Sequence, residues 1–249
     1  MDASSAAPPR VRGVTDSTAL PARLAGDALA ALIGAIGTVR GPRPIHTTGL
    51  LLTGALRWRP RTTARAGIAW IDERPSGGTL VTARLSRGAA LPAVLPDVLG
   101  LAVRPGTGEG DGDLLLSSTG IGLPGRFLLQ PRRSPAGAVL STLMPYRGTD
   151  GPVLIAARST GPVRLPRRME EIRAALEVEP WTLELLFAPA LGRWHRFAGL
   201  ELRPAPGPID AGEPRFDPVL RPPRGAGPYG WTRALREPSY AVGRRRGRG

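Results

Sequence analysis

TLVTARLSRGAALPAVLPDVLGLAVRPGTGEGDGDLLLSS, residues 79–118, holds three short apolar runs at 79–86, 98–103 and 113–118, separated by stretches rich in proline and glycine. Runs of this length bounded by turn residues read as strands. The same pattern extends outward to 50–58 on one side and to 139–144 and 153–157 on the other. Residues 182–187 and 197–202 form a hairpin around Gly192. Pro75-Ser76-Gly77-Gly78 and the loop 106–112 supply turns. Many strands with short connections predict an antiparallel sheet or barrel.

Helices flank this region. In residues 21–39, Leu24, Ala28, Leu29, Leu32, Ile33 and Ile36 recur at spacings of three and four, which predicts an N-terminal helix ended by Gly41-Pro42. A shorter helix is expected over 166–178, with Met169, Ile172 and Leu176 on one face, and another near 239–246. Residues 1–17 read as a mobile arm, 18–243 as one α+β domain, and 244–249 as a basic tail. The last 45 residues, rich in proline and arginine, are expected to wrap over the surface.

Composition removes several functions. The 249 residues include no cysteine, which excludes disulfides, zinc ribbons, iron–sulfur clusters and thiol chemistry. Two histidines, His46 and His195, cannot build a multi-histidine metal site. The formal charge is +14, carried entirely by arginine; lysine and asparagine are both absent. That bias fits codon drift in a GC-rich genome, so nucleic acid is not the expected partner despite the charge. No run approaches the roughly 20 apolar residues of a membrane span, and the start lacks the features of a secretory signal, so a cytoplasmic location is expected.

Several motifs read as structural. The Gly-rich loop 106–112 carries acids and no following Lys-Ser/Thr, unlike a phosphate cradle. Glu170 and Glu171 are adjacent and therefore solvent-facing on a helix. His195 is expected at the surface, and Trp58, Trp70, Trp181, Trp194 and Trp231 in core and rim packing. His46 differs: it opens the first strand, with Arg43 before it and Gly49 and Gly54 after it, where glycines permit close approach of a bound group.

Arg43-Pro-Ile-His46-Thr-Thr-Gly49 resembles the distal-histidine segment of haem catalases, Arg-Val-Val-His-Ala-x-Gly. Further blocks follow in the family's order. Ala83-Arg84-Leu85-Ser86 is similar to Val-Arg-Phe-Ser, and 96–103 to Arg-Asp-Val-Arg-Gly-Phe-Ala-Val. Residues 113–118 are similar to the segment ending Gly-Asn-Asn. Arg236-Glu-Pro-Ser-Tyr240 resembles the Arg-x-x-x-Tyr haem-ligand segment, in the form found in small catalase-related peroxidases, with Phe216-Asp217-Pro218 upstream. The resemblance implies a catalase-like antiparallel barrel of about eight strands, with an N-terminal helix and a few peripheral helices.

It also implies a chemistry. Tyr240 would be the axial ligand of haem b, as a phenolate favoured by ferric iron and by Arg236. His46 would move the peroxide proton, Ser86 would orient the imidazole, and Arg43 and Arg84 would pair with the propionates. Ser117 falls where the family has its distal asparagine, Gly122 where it has a phenylalanine, and Pro238 interrupts the turn between Arg236 and Tyr240. The implied function is a peroxidase-like oxidoreductase with weak catalase activity, acting on hydrogen peroxide or an organic peroxide. A homodimer is carried by the same analogy. A non-catalytic scaffold of this fold, binding an apolar small molecule or a protein, is the alternative. A phosphodiesterase using Asp111 and Asp113, or a nucleic-acid binder, stands third.

Overall fold

The computed structural model describes residues 48–60, 63–75, 77–88, 91–106, 112–207, 216–218 and 220–230. The sequence-expected helices at 21–39 and 239–246 lie outside them.

Side-chain alternation builds the strands. In β2 (Gly78–Arg87), Val81, Ala83 and Leu85 are buried, while Thr82 and Arg84 point the other way. Successive residues of a strand face opposite sides of a sheet, so one face becomes apolar. β1 (Thr48–Trp58) pairs antiparallel with β2. The chain continues through β3 (Leu99–Pro105), β4 (Leu114–Thr119) and β5 (Val139–Ser141), each antiparallel to its predecessor. β7 (Gly151–Gly161), β8 (Trp181–Pro189) and β9 (His195–Pro204) follow, and β9 returns to pair with β1. β5 pairs with β7 and β7 with β8, so eight strands close an antiparallel barrel. Two short strands, β6 (Tyr146–Gly148) and β10 (Gly227–Pro228), extend the sheet beyond β7.

The barrel is filled by side chains in layers. Leu50, Leu85, Leu101 and Leu116 form one row across β1–β4, and Leu52, Ala83, Val103 and Leu114 the next. At one end Trp70 meets Trp58 and Phe197 edge-on at 5.5 and 5.6 Å, the geometry that ring quadrupoles favour. Trp181 is fully buried, and its indole N–H donates to Ser159 Oγ at 2.9 Å. At the closing seam Gly54 faces the backbone of Glu201 and Leu202 so closely that a Cβ would overlap the Glu201 carbonyl.

Two helices pack outside. α1 is a single turn, Ala69–Asp72, whose Asp72 side chain accepts from the N–H groups of Ala66 and Gly67. α2 (Met169–Val178) buries Met169, Ile172 and Leu176, as its spacing predicts. Glu170 and Glu171 are exposed in its first turn, where the helix dipole favours acids.

Three details differ from the sequence reading. The run 139–144 is strand only to Ser141, because Leu143 takes a left-handed conformation (φ 58°) and turns the chain. β7 is longer than 153–157, since residues 158–161 continue along β8. His195 is half-buried, stacked on Phe187 at 5.4 Å, because it already belongs to β9.

Candidate functional site

The register of β1–β5 places the described candidate residues on one outward face. Gly49, Ser86, Gly100, Ser117 and Ser141 form one cross-strand row. Leu51, Arg84, Ala102 and Leu115 form the row beside it. Ser86 and Ser117 stand two strands apart, about 10 Å at the usual strand spacing. Gly100 separates them, and Ala102 follows it two residues along the same face of β3, so both positions carry little side chain.

Arg84 crosses from β2 over β1. A Cβ at Gly49 would fall inside the Arg84 guanidinium, so glycine here gives the cation its path. Ser86 is 5% exposed, and its hydroxyl lies 3.4 Å from the Gly100 carbonyl oxygen, to which it donates. Ser117 is half-buried in the same row. Arg43, His46, Arg236 and Tyr240 lie outside the described residues; in sequence His46 precedes the first residue of β1 by two positions.

One row beyond Arg84 the same face opens into a groove of about 640 Å³, lined by Thr53, Thr82, Arg57, Arg104, Glu201 and Arg203. Arg104 is not free to serve a ligand there. It makes a bidentate pair with Asp113 at 2.7 and 2.9 Å and lies 4.9 Å over the Phe216 ring. Asp113, fully buried, also accepts the Asp217 N–H at 2.7 Å. These contacts leave Asp113 holding Arg104 and Asp217 against the barrel, which is a structural role. Among the described residues no three His, Cys, Asp or Glu side chains gather to hold a metal ion. Also among them, no helix is long and apolar enough to cross a membrane.

The sequence reading missed Arg126. It sits in a 3-10 turn (Gly125–Phe127) beside the Ser117–Ser141 row and is 5% exposed. Its Nη1 donates to the carbonyls of Ala190 and Gly192, at 3.3 and 2.9 Å, and its guanidinium lies 5.0 Å over Trp194. Burial lowers its pKa from the usual arginine value. The sequence contains no acid between Asp113 and Asp150, so a guanidinium buried there has no local carboxylate, but nothing in the local pattern separates Arg126 from Arg132 or Arg133.

No protein-family model and no curated protein matches the sequence. Solved structures do. A bacterial catalase superposes with a TM-score of 0.55 at 13% identity, over 98% of this chain and 63% of the catalase. Catalase A from Saccharomyces cerevisiae gives 0.56 at 10% identity, over 86% of this chain and 62% of its own. A fungal catalase gives 0.55 at 12% identity, over 84% and 60%. The chain thus spans about three fifths of the length of these catalases. Its closed eight-stranded antiparallel barrel is the catalase fold. At this identity the likeness carries the architecture, and the chemistry has to be argued from the site.

Proposed function

We propose that this chain is a haem-binding, catalase-related oxidoreductase that uses hydrogen peroxide or an organic peroxide. The observation that supports it best is the outer face of β1–β4. There a buried serine hydroxyl, an arginine led across a glycine and a second serine stand around small residues. A planar macrocycle fits beside it, because Gly100 and Ala102 carry little side chain and Arg84, led over Gly49, offers a cation to a propionate.

Haem b, when bound, supplies the redox centre that takes oxidising equivalents from peroxide. Tyr240 is the residue we assign to its iron, with Arg236 favouring the phenolate. Arg43 and Arg84 take the propionates. His46 accepts the peroxide proton and returns it to the departing oxygen. Ser86 is suited to support it: a hydroxyl oxygen can accept an imidazole N–H and leave the other nitrogen basic. Ser117 donates a hydroxyl where catalases present an amide. Its shorter reach weakens that hydrogen bond to peroxide, and loss of a positioned donor commonly costs about 10²-fold in rate. The reading is therefore peroxidase-like rather than fast catalase.

The absorption spectrum of protein supplied with haem tests the assignment. A high-spin ferric Soret band is expected in the wild type and in His46→Ala, and is expected to be lost in Tyr240→Phe. An unchanged band in Tyr240→Phe would remove the tyrosinate ligand. A second reading, a barrel that binds without catalysing, draws support from Gly122, where a Cβ would meet nothing within 4 Å. The aromatic wall expected there is missing. Absence of any Soret band after reconstitution would select that reading.

A further inference from the structure

Among the described residues Arg126 is a cation without a counter-ion. A guanidinium has five N–H donors. Two point to backbone carbonyls, those of Ala190 and Gly192. Nε is buried with no hydrogen-bond partner, and among the described residues no acceptor meets Nη2 and no carboxylate reaches the group. Buried charges are ordinarily paired, because an unpaired one forfeits its hydration without compensation. Nη2 keeps its donors for a carboxylate, to which a guanidinium gives a charge-assisted hydrogen bond.

The surroundings are apolar. Arg126 ties the loop 120–130 to the loop 189–194, and Trp194 reinforces the join by donating its indole N–H to the Ile121 carbonyl at 2.7 Å. On these two loops Leu123, Leu128 and Leu129 are about half exposed, and Leu191, between the two carbonyls that Arg126 holds, is 76% exposed. Single exposed leucines are ordinary on a surface. Four of them on two loops joined through a buried, uncompensated cation are not. Trp194 packs on the small cluster of Val139, Ala156 and Leu186.

We propose that the loop pair 120–130 and 189–194 binds an aliphatic monocarboxylate. Its carboxylate accepts from Nη2 of Arg126, and its chain lies over Leu123, Leu128, Leu129 and Leu191. Charge complementarity selects the head group and the leucines select the tail. The site requires no haem.

Decanoate, below its micelle concentration, is titrated into the haem-free protein and followed by isothermal calorimetry and tryptophan fluorescence. Saturable one-to-one binding is expected, at least tenfold tighter than that of decanol or acetate. Arg126→Gln is expected to weaken decanoate at least tenfold and to erase its advantage over decanol. Because Arg126 is buried, its variant is checked by circular dichroism. Leu191→Ser, at a position too exposed to affect folding, gives the independent arm: decanoate weakens severalfold while acetate is unchanged. No saturable binding at millimolar decanoate, equal binding of decanol, or affinity retained in both variants would overturn the proposal. None of these outcomes depends on whether the Soret band appears.

Discussion

Gly49 and Arg84 act as one unit, since the glycine matters only through the guanidinium that passes over it. Gly49→Ala puts a methyl where that guanidinium lies. The obstructed group is the far end of a flexible side chain, so the barrel survives and the arginine moves. We expect Gly49→Ala to change stability by about 1 kcal/mol or less in urea unfolding, while lowering haem affinity as much as Arg84→Ala does. A Gly49→Ala protein that binds haem normally would separate Arg84 from the propionates. Two other buried charges differ in the same physical respect. Asp113 is held by Arg104 and a backbone N–H, whereas among the described residues Arg126 has only carbonyl dipoles and an aromatic face. The first group is built to hold the chain together. The second has capacity left for a ligand.

Strand pairing at the seam of the barrel depends on one element contact that tolerates no side chain. Gly54 of β1 lies against the Glu201 carbonyl of β9, and backbone cannot swing away as an arginine can. Gly54→Ala should therefore cost about 3 kcal/mol, read as a lower urea midpoint. A midpoint within error of the wild type would mean that the seam is looser than the structure describes. The seam also shows what the sequence could and could not disclose. β1–β4, β8 and β9 were legible because each is an apolar run with turn residues at its ends. β6 was not, because Tyr146–Gly148 is three residues long and exists only through its pairing with β7 and β10. α1, at four residues, is below the length at which helical periodicity can be seen. In the candidate site, Arg84, Ser86 and Ser117 were legible through short motifs, but their common face is a product of register, which no local pattern encodes. Arg126 was missed because burial of a charged side chain is a tertiary fact.

At the scale of the molecule, closure decides how the fold forms and fails. Thr53 of β1 pairs with Arg203 of β9, so the ring cannot shut until most of the barrel has been laid down. Contacts this distant in sequence must overcome loop-closure entropy before they contribute, which slows folding to milliseconds or seconds in β-rich domains. Once shut, each of the eight strands is paired on both sides, and the ring has no free edge from which to peel. Trp58 and Trp70 sit at one end of the barrel, Trp181 in β8 and Trp194 outside it, so tryptophan fluorescence samples well-separated regions. We expect urea unfolding followed by fluorescence and by far-UV circular dichroism to give coincident single transitions, with refolding no faster than milliseconds. Two separated transitions would mean that the β1–β9 seam opens before the rest of the ring. In that case Gly54→Ala should lower the midpoint of the first transition alone, because only that step would break the contact it strains.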